Sequence, residues 1–364
     1  MTRVLVDLLF MDGRKGGMEL YAKNLYERFN AADLEVVGLA STELAAAGAP
    51  WFPGEIIASS VSGADRRSWA VGEVLTVGAA AKRIGADLIH SPANFGPWWG
   101  EVPVVLTLHD LQPFRLPELS SRAGRVIRAL VRRSAAHATR ILTDSQGSRD
   151  DIAHFLHPRA TVEVIPLAGD ARATAGPAPS REPGLLLALG NRLAHKNFGA
   201  LVEAIALIPE AVRPRLVIAG GNESDPLRPL VTRLGLGNWV DLLGWLSADE
   251  IDGLYARATA VVIPTLFEGF GLPVLEGMSR GCPVICSELP VLREVGGDAA
   301  AYFDPHDIRS IADVIVETLR APDRLAELAR LGLERARRYS WAATAAATAA
   351  AFRRALDGGP PGEL

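Results

Sequence analysis

The sequence predicts an α/β chain built as two doubly wound parallel-sheet domains in tandem. Three observations carry that expectation. The 364 residues are about twice what one compact domain usually holds. Short β-branched runs alternate almost throughout with longer stretches of helical apolar spacing, the pattern of parallel sheets covered on both faces. One Pro-, Gly- and Ala-rich segment, AGDARATAGPAPSREPG at 168–184, interrupts the alternation, which then restarts. The expected boundaries are a first domain at 1–168, a linker at 169–184 and a second domain at 185–340.

In the first half the strand candidates are Val4–Leu8, Val36–Leu39, Leu88–His90, Val104–Leu108, Arg140–Thr143 and Val162–Ile165. Between them, Met18–Phe29 places Leu20, Tyr21, Leu25 and Phe29 at helical spacing, and Arg122–His137 reads as a basic helix. In the second half, strands at Leu185–Leu189, Leu216–Ala219, Val240–Leu242, Val261–Pro264 and Pro283–Cys286 alternate with helices starting at Phe198, Pro226, Ala248 and Pro273. The alanine-rich stretch 342–351 reads as a further helix. Open parallel sheets bind ligands beyond the carboxyl ends of their strands, so two such domains facing each other would hold a cleft between those ends.

Composition narrows the function classes. Apolar residues at 49% and charged residues at 22% suffice for two cores. Lys plus Arg (38) against Asp plus Glu (42) gives a formal charge of −4, without the basic excess expected of nucleic-acid binding. A basic pocket for one small anion is compatible with that balance. No apolar run nears the ~20 residues of a membrane span. The opening MTRVLVDLLFMDGRKGG reads as a first strand, not a signal peptide. Cys282 and Cys286 would lie about 13 Å apart on a strand, too far for a disulfide, and two ligands do not make a structural zinc site. Reducing cytoplasm is the expected compartment.

Several chemistries lack their motifs. There is no G-x-G-x-x-G after a strand and no G-x-x-x-x-G-K-[ST], so the backbone cradles of dehydrogenases and P-loop enzymes are missing. The one G-x-S-x-G, GMSRG at 277–281, precedes a strand and is not the strand-to-helix elbow of a hydrolase, and neither D-x-D nor H-E-x-x-H is found. Phosphate chemistry would then rest on side-chain cations and backbone amides.

The segment VVIPTLFEGFGLPVLE, 261–276, is the richest. A strand ends at Pro264, a loop carries Glu268, Gly269, Phe270 and Gly271, and a helix starts near Leu272 with Pro273 in its first turn. Glycines let backbone approach a ligand closely, and the amides of a helix start can receive a diphosphate. A carboxylate beside a phosphate repels it unless aimed elsewhere, so Glu268 and Glu276 read as acceptors for sugar hydroxyls. Their structural reading is the dipole stabilisation that any glutamate gains near a helix start. In LLLALGNRLAHKNFGALVEA, 185–204, Arg192, His195 and Lys196 lie on a loop between strand and helix. Cations at a helix start are electrostatically misplaced and call for an anion; a solvated loop pair is the alternative. Gly16 and Gly17 separate the first strand and helix, with Arg14 and Lys15 nearby, and fit either ligand approach or a helix entry of unusual backbone angles. His109, ending the strand VVLTLH, is placed to contact substrate or to serve in the core.

In this order and in these two halves, the elements resemble the retaining GT-B glycosyltransferases of family 4. The resemblance is carried by KGGMELYAKNL, LTLHDLQPFRLPE, ILTDSQGSRDDI, VIPLAGD, ALGNRLAHKN, LVIAGG, the run GWLSADEIDGLYARATAVVIPTLFEGFGLPVLEGMSRGCPVICSELPVLREVGGDAA, and YFDP. RARRYSWAATA is similar to the family's last helix, which implies that a helix at about 341–358 returns to the first domain. The resemblance implies that Glu268 touches the donor sugar and Glu276 the nucleotide ribose. It gives sugar and phosphate contacts to the amides of Phe270, Gly271 and Leu272, beside Gly269. Lys196 corresponds to the diphosphate lysine. The family arginine follows the strand-end glycine directly; Asn191 stands there in this chain and Arg192 comes next. Gly17, with Gly16, corresponds to the glycine beneath the diphosphate, and His109 to the histidine near the reacting sugar. Trp245 and Leu246 fall where the base rests.

The implied reaction is retaining transfer of a hexose from a nucleotide diphosphate sugar, without a metal or other cofactor. GDP-mannose is the favoured donor, with UDP and dTDP sugars, including rhamnose, as alternatives. No second carboxylate marks the acceptor side, so a double displacement lacks its nucleophile. A front-face route, in which a diphosphate oxygen takes the acceptor proton, fits better. The acceptor, a glycan, a lipid-linked sugar or a small natural product, is expected on the first domain, near Trp98 and Trp99. The arginines 122, 125, 128, 132 and 133 fit either a solvated face or peripheral contact with anionic lipid at the inner membrane face. A nucleotide-sugar epimerase of the same fold and a non-catalytic nucleotide-sugar-binding protein are the alternative functions.

Overall fold

The computed structural model describes residues 1–13, 16–116, 122–169, 181–222 and 224–358, the side chains at 66, 122 and 123 excepted. Arg14, Lys15, the Arg122 side chain and the linker residues 170–180 therefore lie outside the described residues. The chain divides into two compact units, Met1–Leu167 with Ser340–Leu364, and Ala168–Tyr339.

Among the described residues the first unit has seven strands: β1 Thr2–Leu8, β2 Leu34–Ala40, β3 Glu55–Ala58, β4 Leu88–Ser91, β5 Val104–Thr107, β6 Arg140–Thr143 and β7 Thr161–Val164. They pair in parallel in the order β3-β2-β1-β4-β5-β6-β7. The second unit has six: β8 Leu185–Leu189, β9 Arg215–Ala219, β10 Val240–Leu242, β11 Ala260–Ile263, β12 Val284–Ser287 and β13 Ala300–Phe303. Their parallel order is β10-β9-β8-β11-β12-β13. Strands buried on both faces need continuous apolar runs, and Leu185–Ala188 and Ala260–Ile263 supply them. Leu186, Leu216, Val262 and Ile285 pack against Leu201, Val202 and Ile205 and against Ile311 and Ile315. In each sheet the order reverses once, between β1 and β4 and between β8 and β11. Ligands bind beyond the carboxyl ends at such points.

Among the elements that the sequence reading did not name, three escaped it for clear physical reasons. β3 is a four-residue edge strand whose outer residues are exposed, so no alternation marks it. β13 is half alanine, a poor strand former, and is held by pairing such as Cys286↔Tyr302. The helix Arg66–Ile84 leaves Val71 and Leu75 exposed and contains Gly72, tight against Val61, and Gly78, beneath Trp99. No apolar stripe marks such a helix.

The helix Trp341–Asp357 packs on the first unit. The Phe352 ring lies 5.8 Å from Phe29 and 5.0 Å from His90, and the Thr344 hydroxyl donates to the Pro166 carbonyl at 2.7 Å. Cys282 and Cys286 are free and buried, and burial pushes the Cys282 thiol up to about 11 and that of Cys286 upward as well. No described helix is long and apolar enough to cross a membrane.

Candidate functional site

In the second unit the loops after β8 and β11 meet at the point where the strand order reverses. Gly190, at φ 145°, ends β8 and turns the chain into Arg192–Asn197. The His195 carbonyl accepts from the Leu266 N–H at 2.7 Å and lies 3.0 Å from the Thr265 hydroxyl, which also lies 2.8 Å from the Phe267 carbonyl. These bonds lock the two loops together. Their consequence is an ion pair across the junction, Lys196 Nζ to Glu268 Oε1 at 2.6 Å, with the side chains 19% and 13% exposed.

Beyond Glu268 the chain passes Gly269 and the buried Phe270, whose ring meets Tyr339 edge-on at 6.0 Å. Gly271 then caps the helix Leu272–Ser279 at φ 102°, and no side chain caps it. A Cβ at Gly271 would stand 2.7 Å from Leu292, so a left-handed angle and a tight wall both require glycine. The first amides of a helix have no intrahelical partner, and this helix starts where the loop carrying Glu268 ends. Glu276 is half-buried on this helix. Burial first, and then the Glu276 charge, push the Tyr255 hydroxyl well above its ordinary value.

Arg192 stands differently from Lys196. Its Nε donates to Asp225 at 2.9 Å, Nη1 to the Gly190 carbonyl at 2.8 Å and Nη2 to the Ile218 carbonyl at 3.1 Å. The guanidinium also lies over the Phe198 ring, 5.4 Å from its centre. The charge is thus spent on fastening the β8 loop to β9. Trp245 and Leu246 follow β10, the edge strand two places from β8, with the indole 78% exposed. Hydrogen bonds from the Gly220 and Gly221 amides to the carbonyls of Gly244 and Leu243 join that loop to the one after β9.

In the first unit Gly16 caps the helix Gly17–Glu27 at φ 57° and ψ −118°, a conformation open only to glycine. A Cβ at Gly16 or Gly17 would meet nothing within 4 Å, so both face open space. Glu19, two residues on, accepts from the amides of Asp12 and Gly13 at 2.8 Å each and holds the loop. His109 lies just past β5, with Nδ1 2.8 Å from Asp144 and Nε2 2.9 Å from the Pro92 carbonyl. Trp98 and Trp99 direct their indole N–H groups to Ser134 at 3.3 Å and to the Val74 carbonyl at 2.7 Å, and Trp99 is 46% exposed. In the basic helix, Arg128 donates to the Pro113 carbonyl at 3.0 Å and Arg132 covers Phe114 at 4.9 Å.

Asp144, Asp225, Thr265 and Glu19 were not singled out in the sequence. Each acts on a loop far from it in the chain, or through backbone, and no local spacing announces that. Among the described residues no three His, Cys, Asp or Glu side chains cluster to hold a metal ion.

Residues 175–335 match the family model for glycosyl transferases group 1, and residues 15–171 that for glycosyltransferase family 4. The O-antigen chain mannosyltransferase B of Escherichia coli is 34% identical over 280 residues, which span 72% of this chain and 73% of that protein. Among solved structures, the sucrose-phosphate synthase of Thermosynechococcus elongatus superposes with a TM-score of 0.79 at 19% identity, covering 98% of this chain and 100% of that one. Anabaena Alr3699/HepE, crystallised in complex with UDP-glucose, superposes at 0.72 and 19% identity, covering 97% and 100%. At such identities these two likenesses speak for the fold. With both halves matched and a bacterial mannosyltransferase alike over most of its length, the chain belongs to the group 1, family 4 glycosyltransferases of GT-B fold.

Proposed function

We propose that this glycosyltransferase moves a hexose, with mannose first among candidates, from a nucleotide diphosphate sugar to a glycan, lipid-linked or small-molecule acceptor, with retention and without a metal. The observation that carries this reading is the Lys196–Glu268 pair, set beside the Gly271 helix start at the reversal point of the second sheet. As the sugar leaves, negative charge builds on the diphosphate. Lys196 and the amides at the start of the helix Leu272–Ser279 are aimed to stabilise it in place of a metal. Glu268 and Glu276, kept on the same elements, suit the sugar and ribose hydroxyls. Trp245, exposed on the neighbouring loop, suits the base. Arg192 keeps the loop in shape and leaves the phosphate charge to Lys196. For Gly16, Gly17 and His109 of the first unit, the family resemblance is what supports a part in donor binding. Likeness to a mannosyltransferase favours GDP-mannose.

The test is direct. The purified chain is given GDP-mannose, UDP-hexoses or dTDP-rhamnose with a panel of acceptors, and the anomeric centre of the product is read by NMR. Consumption of a nucleotide sugar with retained configuration in EDTA supports the reading. An inverted product removes retention; loss of transfer in EDTA with rescue by Mg²⁺ or Mn²⁺ removes metal independence.

A cytoplasmic protein that touches the inner membrane face is the matching placement. Exposed Arg125, Arg133 and Val126 on the helix Arg122–His137 supply cations with an apolar neighbour. Flotation with anionic vesicles, absent from neutral ones, is the expected result; no flotation removes the contact.

A further inference from the structure

His109 has every polar atom engaged inside the first unit. Its N–H donates to Asn94 Oδ1 at 2.8 Å and its carbonyl accepts from the Ser148 hydroxyl at 3.1 Å. The ring is gripped at both ends, Nδ1 by Asp144 Oδ2 at 2.8 Å and Nε2 by the Pro92 carbonyl at 2.9 Å. A carbonyl oxygen only accepts, so Nε2 bears a proton. A second proton must lie between Nδ1 and the carboxyl, because two bare lone pairs at that distance repel. With that proton on Nδ1 the ring donates at both ends, to a carboxylate and to a carbonyl, and the pair holds two protons together. Neither ring nitrogen keeps a free lone pair.

The frame is fixed. Leu108 donates its N–H to the Leu142 carbonyl at 2.8 Å, and the Thr143 hydroxyl donates to the Leu108 carbonyl at 2.7 Å, so the ends of β5 and β6 hold His109 against Asp144. The two side chains are 12% and 4% exposed, and little water screens them.

We infer that Asp144 is a positioning residue for His109, holding its imidazole as a double donor beyond the carboxyl end of β5, where the ring can present charge but cannot accept a proton. The inference rests on the proposed hexosyl transfer and deepens it, since the acceptor proton must then go elsewhere, toward the leaving diphosphate. The groups around the ring are consistent with it. Burial pulls the His109 pKa down, yet Asp144 across from it, the Pro92 carbonyl and Asp110 beside it together carry it above the ordinary value. His90 on β4 is lowered to about 3 by burial and by the His109 charge, so it stays neutral. Tyr21, whose ring edge meets His109 at 4.6 Å, has its hydroxyl pushed up by burial and stays neutral too.

The experiment follows the His109 ring resonance by NMR from pH 5 to 9, assigned with His109→Gln, in wild type, Asp144→Asn and Asp144→Glu, alongside kcat/KM across the same range. In wild type the His109 midpoint should lie above the usual histidine value; in Asp144→Asn it should fall by about 1 pH unit or more. The activity of Asp144→Asn should then decline with rising pH where wild type is level, and Asp144→Glu should restore the wild-type profile. An unmoved midpoint in Asp144→Asn, a neutral ring at pH 6 in wild type, or an unchanged pH profile would each overturn the assignment. If wild type transfers no hexose from any donor, the transfer reading falls while the titration still decides the Asp144–His109 pair.

Discussion

Lys196 is where a single residue decides most. Its ammonium is held 2.6 Å from Glu268 on a loop that two backbone carbonyls and Thr265 make rigid. Removing that charge should cost about 2–4 kcal/mol of transition-state stabilisation, roughly thirty- to a thousand-fold in kcat for Lys196→Ala at saturating donor. A kcat within a factor of two of wild type rejects the role. Lys196 was legible in the sequence because a cation at a helix start is electrostatically out of place. Asp7 and Glu73 were not, because nothing local marks one carboxyl on β1 and another on a distant helix as partners. Both are almost fully buried, with the Trp69 indole donating to Glu73. Burial raises both pKa values, and the Asp7 charge raises that of Glu73 further. The folded state therefore keeps protons that the unfolded chain gives up. Stability from this pair is present at acid pH and is lost as pH rises from the usual carboxylate range through the raised folded values. Glu73→Gln keeps an acceptor for Trp69 and removes one titration. Its melting temperature should fall less than that of wild type between pH 5 and 8; parallel curves would refute the paired-acid reading.

Elements explain why some residues were read correctly and others were not. The apolar runs in β1, β8 and β11 were legible because both faces of a parallel strand are buried, so such a strand is mostly apolar. The helix starts at Phe198, Ala248 and Leu272 followed from those strands and from the loop chemistry between them. What the sequence hides is the fastening of one loop to the next. Arg192 was expected to meet phosphate, yet it binds Asp225, 33 residues onward, and the two form a buried pair with side chains 8% and 1% exposed. Gly220 and Gly221 make room for it: a Cβ on Gly220 would stand 2.6 Å from the Gly190 carbonyl, and one on Gly221 2.8 Å from the Arg192 guanidinium. Taking away the carboxylate leaves a charge with no counter-ion in the interior. Asp225→Ala should lose about 3–5 kcal/mol in urea unfolding. A loss under about 1 kcal/mol, the worth of an exposed pair, would mean that water reaches the guanidinium.

At the scale of the whole molecule, the chain leaves its first unit at Leu167, builds the second and returns at Ser340. The first unit is therefore incomplete until the last helix is made. Composition made that helix legible, since Trp341–Asp357 is rich in alanine, but alanine alone does not say where it docks. The docking rests on the few large residues in it. Phe352 is fully buried, between Phe29 and His90, and Trp341 lies 6.2 Å from Tyr21. At the other face Arg354 meets Glu163 on β7 at 2.6 Å, and Arg353 meets Asp33 at 2.6 Å. The Arg353–Asp33 contact is exposed and contributes little, so the aromatic contacts and the more buried Arg354–Glu163 pair carry the attachment. Phe352→Ala should cost about 3–5 kcal/mol, and the cost should fall on one unit only. Hydrogen exchange separates the two cases: amides of β1, β4 and β5 should exchange faster in Phe352→Ala, while those of β8, β9 and β11 keep the wild-type rate. Equal acceleration in both sheets would show that the units unfold as one body, and unchanged exchange in the first sheet would show that the helix is not needed to hold it.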